Sequence, residues 1–209
     1  TYKRSYKIEF FYSYTKNKLQ ELAFQDNDTQ LLRFIASNID SKEWFGVDFT
    51  VSKEFTDFWY CYILASFFDE TNAFRNLGSD VLTENNQFAW FVNTTNSFTF
   101  LEDGSLTADL SFYYQGPKFI GNSRYDALGS LNLLFRKTFW NRNASISMGI
   151  DDIFNQGNQF SRRNYLDQNG TSLVRPENRL FMLGLRYKFG NTRIRDNSKS
   201  KHVDEQDRL

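Results

Sequence analysis

The sequence predicts an all-β chain that forms part of the wall of an antiparallel transmembrane β-barrel, and three observations predict it. Apolar and polar residues alternate with period two over nearly the whole length. The connections between alternating segments run short and long in turn, and aromatic residues crowd the segment ends next to the short ones.

The first segment, 6–16, sets Tyr6, Ile8, Phe10, Tyr12 and Tyr14 against Lys7, Glu9, Ser13 and Thr15, since successive strand side chains point to opposite sides of a sheet. The stretch 30–38 reads as a bent start to a second strand that runs on to Glu54. There Phe45, Val47, Phe49 and Val51 face away from Gly46, Asp48, Thr50 and Ser52. Residues 58–70 are largely apolar on both faces. In 87–100, Phe88, Trp90, Val92, Phe98 and Phe100 oppose Asn93, Thr95, Ser97 and Thr99. The cleanest alternation is 105–115, with Leu106, Ala108, Leu110, Phe112 and Tyr114 against Thr107, Asp109, Ser111 and Tyr113. In 126–139, Leu128 and Leu134 interrupt the polar face. Ala144, Ile146, Met148 and Ile150 then face away from Ser145, Ser147, Gly149 and Asp151. Last, Phe181, Leu183, Leu185, Tyr187 and Phe189 oppose Gly184, Arg186 and Lys188, which makes eight strands.

Phe55–Asp57, Leu101–Gly104 and Trp140–Arg142 read as tight turns. The stretches 17–29, 71–86, 117–125 and 155–178 read as longer loops rich in Asn, Gln, Asp and Gly. Short turns at one end and long loops at the other are the habit of outer-membrane barrels, whose long loops lie outside the cell. Eight strands put every short turn at the end where the last strand finishes, the periplasmic one. Phe55, Phe58, Trp59, Phe98, Phe100, Phe139, Trp140 and Phe189 gather there, as an interfacial girdle requires. Ten residues rising about 3.3 Å each at a tilt of roughly 40° cover about 25 Å of membrane normal, and segments of ten to fourteen residues suffice.

Composition agrees. Aromatics make up 18% of the chain, and Pro occurs only at Pro117 and Pro176, which favours pleated, half-buried strands. No apolar run reaches the 18 residues of a spanning helix. A mean hydropathy of −0.58 fits a barrel wall as well as a soluble domain. Lys plus Arg and Asp plus Glu balance at 25 each, so no net field points to nucleic acid. Cys61, in an apolar run, reads as a small packed side chain, and His202 lies in the polar tail. One Cys and one His far apart leave the chain poorly equipped for metal binding or His-based catalysis, so neither enzyme chemistry nor a cofactor is expected. Nothing at Thr1 reads as a leader, so any signal peptide is expected further upstream. Residues 190–209 read as a solvated periplasmic tail.

Three stretches resemble a known family. Ser147–Gln159, SMGIDDIFNQGNQ, is similar to the penultimate strand of TonB-dependent receptors and its closing acidic-Phe-Asn run. Ser37–Lys53 is similar to their strand with Asn followed by Gly-x-Asp, and Phe181–Gly190 to their final strand with its terminal aromatic. The polar tail resembles that of receptors of Bacteroidetes type, in the branch described as the outer-membrane β-barrel family. The resemblance implies that residues 1–189 are the C-terminal portion of a barrel of about 22 strands, filled by an N-terminal plug. It implies an importer of a scarce solute such as a siderophore, glycan or peptide, with outer-membrane lipid, the barrel-assembly machinery and, through the region before Thr1, TonB as partners.

Within the final strand Gly184, Tyr187 and Phe189 match the Gly-x-x-aromatic-x-aromatic signal read by that machinery, with Met182 where the family usually carries a polar residue. The residues leave open a passive porin-like channel, a barrel enzyme of the protease or lipase kind, and a soluble secreted β-sandwich. Sandwich strands are usually nearer five or six residues, and no His lies within a strand to serve as a base.

Other features read as ordinary. Asn93, Asn143 and Asn169 sit in chance glycosylation patterns. Asp151 and Asp152 read as strand closure, since neighbours on a strand point to opposite faces. Arg162, Arg163 and Arg175 read as solvated loop residues.

Overall fold

The computed structural model describes residues 3–26, 28–29, 31–75, 81–165 and 168–189. Its strands are β1 (Arg4–Asp26), β2 (Leu31–Thr56), β3 (Trp59–Arg75), β4 (Leu82–Phe100), β5 (Leu106–Gln115), β6 (Lys118–Ile120), β7 (Ser123–Tyr125), β8 (Leu128–Phe139), β9 (Ala144–Ile150), β10 (Gln159–Tyr165), β11 (Gln168–Val174) and β12 (Phe181–Tyr187). Eight of them form one antiparallel sheet in the order β1-β2-β3-β4-β5-β8-β9-β12. These are the eight strands that the alternation marks out, each beside its predecessor. Among the described residues β1 and β12 do not pair, so the sheet is open there.

The register joins the apolar sides of all eight into one face. Phe10 pairs with Val47, Val47 with Phe67 and Phe67 with Trp90. Further across, Phe98 pairs with Ala108, Ala108 with Phe135, Phe135 with Met148 and Met148 with Leu183. A one-residue slip at any of these ladders would turn a whole strand over. None occurs.

The long connections differ from the expectation of loops. Residues 17–26 continue β1, and the chain turns at Asp28 and Thr29, whose backbone N–H groups donate to the Asp26 carboxylate at 3.1 and 3.3 Å. β3 runs to Arg75 and β4 begins at Leu82, inside the expected loop 71–86. β1 has 23 residues and β2 has 26; at about 3.3 Å each the hairpin is some 75 Å long, far beyond a hydrocarbon core of about 30 Å. The ladder persists past the apolar alternation because two strands that pair satisfy each other's backbone groups whatever their side chains are. The stretches 117–125 and 155–178 also carry strands, which make a second sheet in the order β11-β10-β7-β6. The tail 190–209 lies outside the described residues.

This projecting end has a small core of its own. Leu22, Ile39 and Phe74 are 3%, 0% and 0% exposed and pack together. By register Phe74 belongs to the polar face, and Leu22 also reaches Gly121, between β6 and β7. Between the two regimes Asn17 takes a left-handed backbone, φ 50°, a conformation Asn tolerates better than most residues.

Two apolar spots interrupt the polar face, and a glycine lies under each. The rings of Phe11, Trp44 and Phe68 meet at centroid distances of 5.4 to 6.4 Å. A Cβ on Gly46 would stand 2.3 Å from the Phe67 carbonyl oxygen and 2.8 Å from Cζ of Phe11. The second spot accounts for Leu134 and Met182, the out-of-place apolar residues of β8 and β12. Leu134 Cδ1 and Met182 Cε lie 3.2 and 3.3 Å from where a Cβ of Gly149 would sit. The missing side chain leaves a hollow that the two flanking chains fill.

Candidate functional site

The apolar face carries two rows of rings. At the short-turn end Phe55 stacks on Trp59 at 4.4 Å, Trp59 on Phe98 at 6.0 Å and Phe98 on Phe100 at 6.1 Å. The Trp59 indole N–H donates to Asn96 Oδ1 at 3.1 Å, which satisfies its polar edge. A second row, Phe67, Trp90 and Tyr114, stacks at 6.4 and 4.9 Å. The rows are eight residues apart on β3 (Trp59 to Phe67) and on β4 (Phe98 to Trp90). That is about 26 Å along a strand and roughly 20 Å along the normal at a 40° tilt, close to the height of a bilayer's apolar band. Just past the second row the same face turns polar, where Asn86 donates to Asp69 and to Thr71.

Of the three residues marked by the final-strand pattern, Gly184 and Tyr187 lie on β12 and Phe189 just beyond it. Tyr187 and Phe189 meet edge to face at 4.5 Å, and Trp140 joins Tyr187 at 5.9 Å. Phe189 is 85% exposed. Gly184 lies on the polar face, where it pairs with Ser147 of β9.

Beside those rings two cavities share a wall. One, about 460 Å³, is an apolar groove along Ala144, Ile146, Leu185 and Tyr187, bounded by Phe139 and Trp140. The other, about 430 Å³, lies between the turns 101–105 and 140–143 and is bounded by Lys137, Arg142, Asp103 and the same Phe139 and Trp140. Lys137 faces the apolar side by register, since it pairs with Leu106 and Ile146. Its amine bends back to donate to Ser105 Oγ. Arg142 Nη2 donates to the Asp103 carbonyl at 3.3 Å. Asp103 is tied to its own turn by the Ser105 N–H at 3.0 Å, and the Ser105 contacts hold its carboxyl below the usual range. Trp140, Asn141 and Arg142 are all left-handed, φ 51°, 50° and 66°.

The stretch SMGIDDIFNQGNQ works as a strand terminator. Asp151 and Asp152 lie just beyond β9, so they are not strand neighbours, and strand closure holds for a different reason. The buried Asp152 carboxylate accepts the backbone N–H groups of Gln156 at 2.9 Å and Gly157 at 2.8 Å, while its own N–H donates to Asn132 Oδ1 at 2.9 Å. The Gly-x-Asp run of β2 is equally local: Gly46 makes room for the Phe11–Trp44–Phe68 cluster, and Asp48 accepts from Ser66.

The polar face bears a partly open cavity, about 200 Å³, where β6 lies over β2, β3 and β4. Lys42 and Glu70 pair there at 2.7 Å, and Asn72, 1% exposed, donates to Glu70 at 2.7 Å. Gln87 Nε2 donates to the Pro117 carbonyl at 2.8 Å and helps hold the β6–β7 hairpin. Asn122 grips Ala23 at the hairpin's far side, donating to its carbonyl at 2.6 Å and accepting its N–H at 3.2 Å. Burial pushes the Lys118 amine down from its ordinary range, with Glu70 opposing and Lys42 adding to the effect. The Asn72 Oδ1 and Gln87 Oε1 atoms are buried without a donor. Sequence reading missed this cavity, because its residues come from four strands and only the register brings them together.

In the long loops, Arg162 pairs with Asp126 at 2.9 Å and Arg163 lies over the Phe34 ring at 5.8 Å. Arg175 is exposed. Cys61 is a buried free thiol, as its apolar setting suggests. Among the described residues no group of three or more His, Cys, Asp or Glu side chains is placed to hold a metal.

Residues 1–187 fit the model of the outer membrane protein beta-barrel family. No curated protein and no solved structure matches the chain.

Proposed function

The chain belongs to the outer membrane protein beta-barrel family, a wall of the Gram-negative outer membrane in contact with its lipid, and from that premise we propose that it is the C-terminal barrel portion of a TonB-dependent receptor. The observation that carries this reading is the pair of unmatched sheet edges. β1 has 23 residues and β12 has 7, so one would leave most of the other's backbone groups unpaired if they closed on each other. In a barrel of about 22 strands each finds its own neighbour. The three stretches that resemble the family's strands support the same reading, as does the projecting loop sheet on the side where such receptors meet their solutes.

The receptor imports a scarce solute such as a siderophore, glycan or peptide. Its chemistry is binding in loops and lumen, with no covalent step and no cofactor. Gly184, Tyr187 and Phe189 serve as the assembly signal, with the short turns and the tail 190–209 in the periplasm. Deleting TonB in the native host tests the reading directly. Uptake through the full-length protein should stop when TonB or the proton-motive force is removed. Uptake that continues undiminished would make the protein a passive channel instead.

A further inference from the structure

We propose that the two cavities sharing Phe139 and Trp140 form one binding site for a single anionic phospholipid of the inner leaflet. The groove along Ala144, Ile146 and Leu185 is apolar and lies on the lipid-facing side, while the adjoining pocket carries Lys137 and Arg142. Their shared wall of two rings sits in the short-turn aromatic row, at the depth where acyl chain gives way to headgroup. A phospholipid has the same division, an alkyl chain joined to a phosphate.

Each part has a stated chemical role. Ala144 keeps the groove open: it pairs with Phe139 on one side and Tyr187 on the other, and any larger side chain would fill the space between those rings. Lys137 begins on the lipid-facing side and reaches rimwards to Ser105, the snorkelling geometry of a lysine that serves a headgroup. Arg142 spends one N–H on the Asp103 carbonyl and keeps further donors for a phosphate. Asp103, tied to the Ser105 N–H of its own turn, keeps its negative charge near Lys137 and offsets one of the two cations. With two cations against one carboxylate, the pocket selects an anionic headgroup over a zwitterionic one. The inference rests on the receptor reading only for which leaflet the short turns meet.

The test is native mass spectrometry of the full-length protein, titrated with dioleoyl-phosphatidylglycerol, dioleoyl-phosphatidylcholine or lipid A. Phosphatidylglycerol should be retained at one copy and at least tenfold more tightly than phosphatidylcholine. Lys137→Gln with Arg142→Gln should remove that preference. Ala144→Leu, which blocks the groove and leaves the charges alone, should weaken both phospholipids alike. Heat-modifiable gel mobility checks that each variant has folded. Equal retention of the two phospholipids, or a preference that survives the charge variants, overturns the headgroup site. Preferential retention of lipid A overturns the inner-leaflet assignment. None of these results depends on TonB, so the transport reading stands or falls separately.

Discussion

A Cβ on Gly184 would stand 2.5 Å from Oγ of Ser147, its partner on β9, and 3.9 Å from the Ser147 Cβ. The obstacle is therefore one rotatable hydroxyl. Turning it aside costs little, so the folded sheet has no strong need for glycine here. Gly184→Ala should leave the unfolding temperature of assembled protein nearly unchanged, an effect within about 1 kcal/mol. If Gly184 is read by the assembly machinery, the same change lowers the folded outer-membrane level several-fold, and Ser147→Ala does not restore it. Restoration by Ser147→Ala would assign Gly184 to strand packing alone.

Phe189 and Tyr187 meet at 4.5 Å at the end of the sheet, and Phe189 is exposed on the lipid side. Phe189→Ser should lower the folded outer-membrane level far more than deletion of 191–209. Immunoblots of unheated and heated samples compare the two variants. Equal loss from both would give the tail a structural role.

Gly46 is a stricter case than Gly184. Its Cβ would meet the Phe67 backbone oxygen and the Phe68 Cβ as well as the Phe11 ring, and the first two are fixed by the β2–β3 ladder. Gly46→Ala should destabilise the sheet by about 1–3 kcal/mol, the range for overpacking. Gly46→Ala in a Phe11→Ala background should recover only part of that, because the clash with Phe67 remains. Full recovery would show that the ring alone demands the glycine.

How much of this was legible in the sequence depends on whether a residue acts within its strand or across strands. Period two marks both faces of six wall strands, because a strand between lipid and water must alternate, and it blurs in 58–70, apolar on both faces, and in 126–139, where Leu128 and Leu134 interrupt it. The tight turns are legible too, being bounded by aromatic strand ends. The extension of β1 past Asn17 is not, since above the bilayer both faces meet water and alternation is no longer required. Leu134 and Met182 look like errors in the pattern until register places Gly149 between them. The second aromatic row and the Lys42–Glu70 cavity each draw on several strands, so they too await the register. Asp152 is the intermediate case: its motif is visible, but only the fold shows a carboxylate closing a turn.

That carboxylate takes two backbone N–H groups at 2.8 and 2.9 Å in a buried setting. Asp152→Ala leaves both donors without it and should cost about 1–3 kcal/mol. Asp152→Asn keeps one acceptor and should cost less. Chemical denaturation in detergent ranks the variants. If both match the parent protein, water replaces the carboxylate without loss and the motif has another purpose.

The two faces of β5 can be separated at one depth. Leu110 pairs with Asn96 and Leu133 on the apolar face, and its neighbour Ser111 pairs with Thr95 and Asn132 on the polar face. Arg at a lipid-facing midplane position costs about 2–4 kcal/mol, whereas lumenal changes mostly tune selectivity. Leu110→Arg should therefore strongly reduce stability and Ser111→Arg only slightly. A close-packed soluble core would also reject Leu110→Arg, so the informative variant is Leu110→Trp. Lipid parts around the larger ring, while a packed interior would be overfilled at about 1–3 kcal/mol. Equilibrium unfolding of the full-length protein in lipid vesicles measures all three. Leu110→Trp should fall close to the parent protein; if it is as damaging as Leu110→Arg, that face packs against protein rather than lipid.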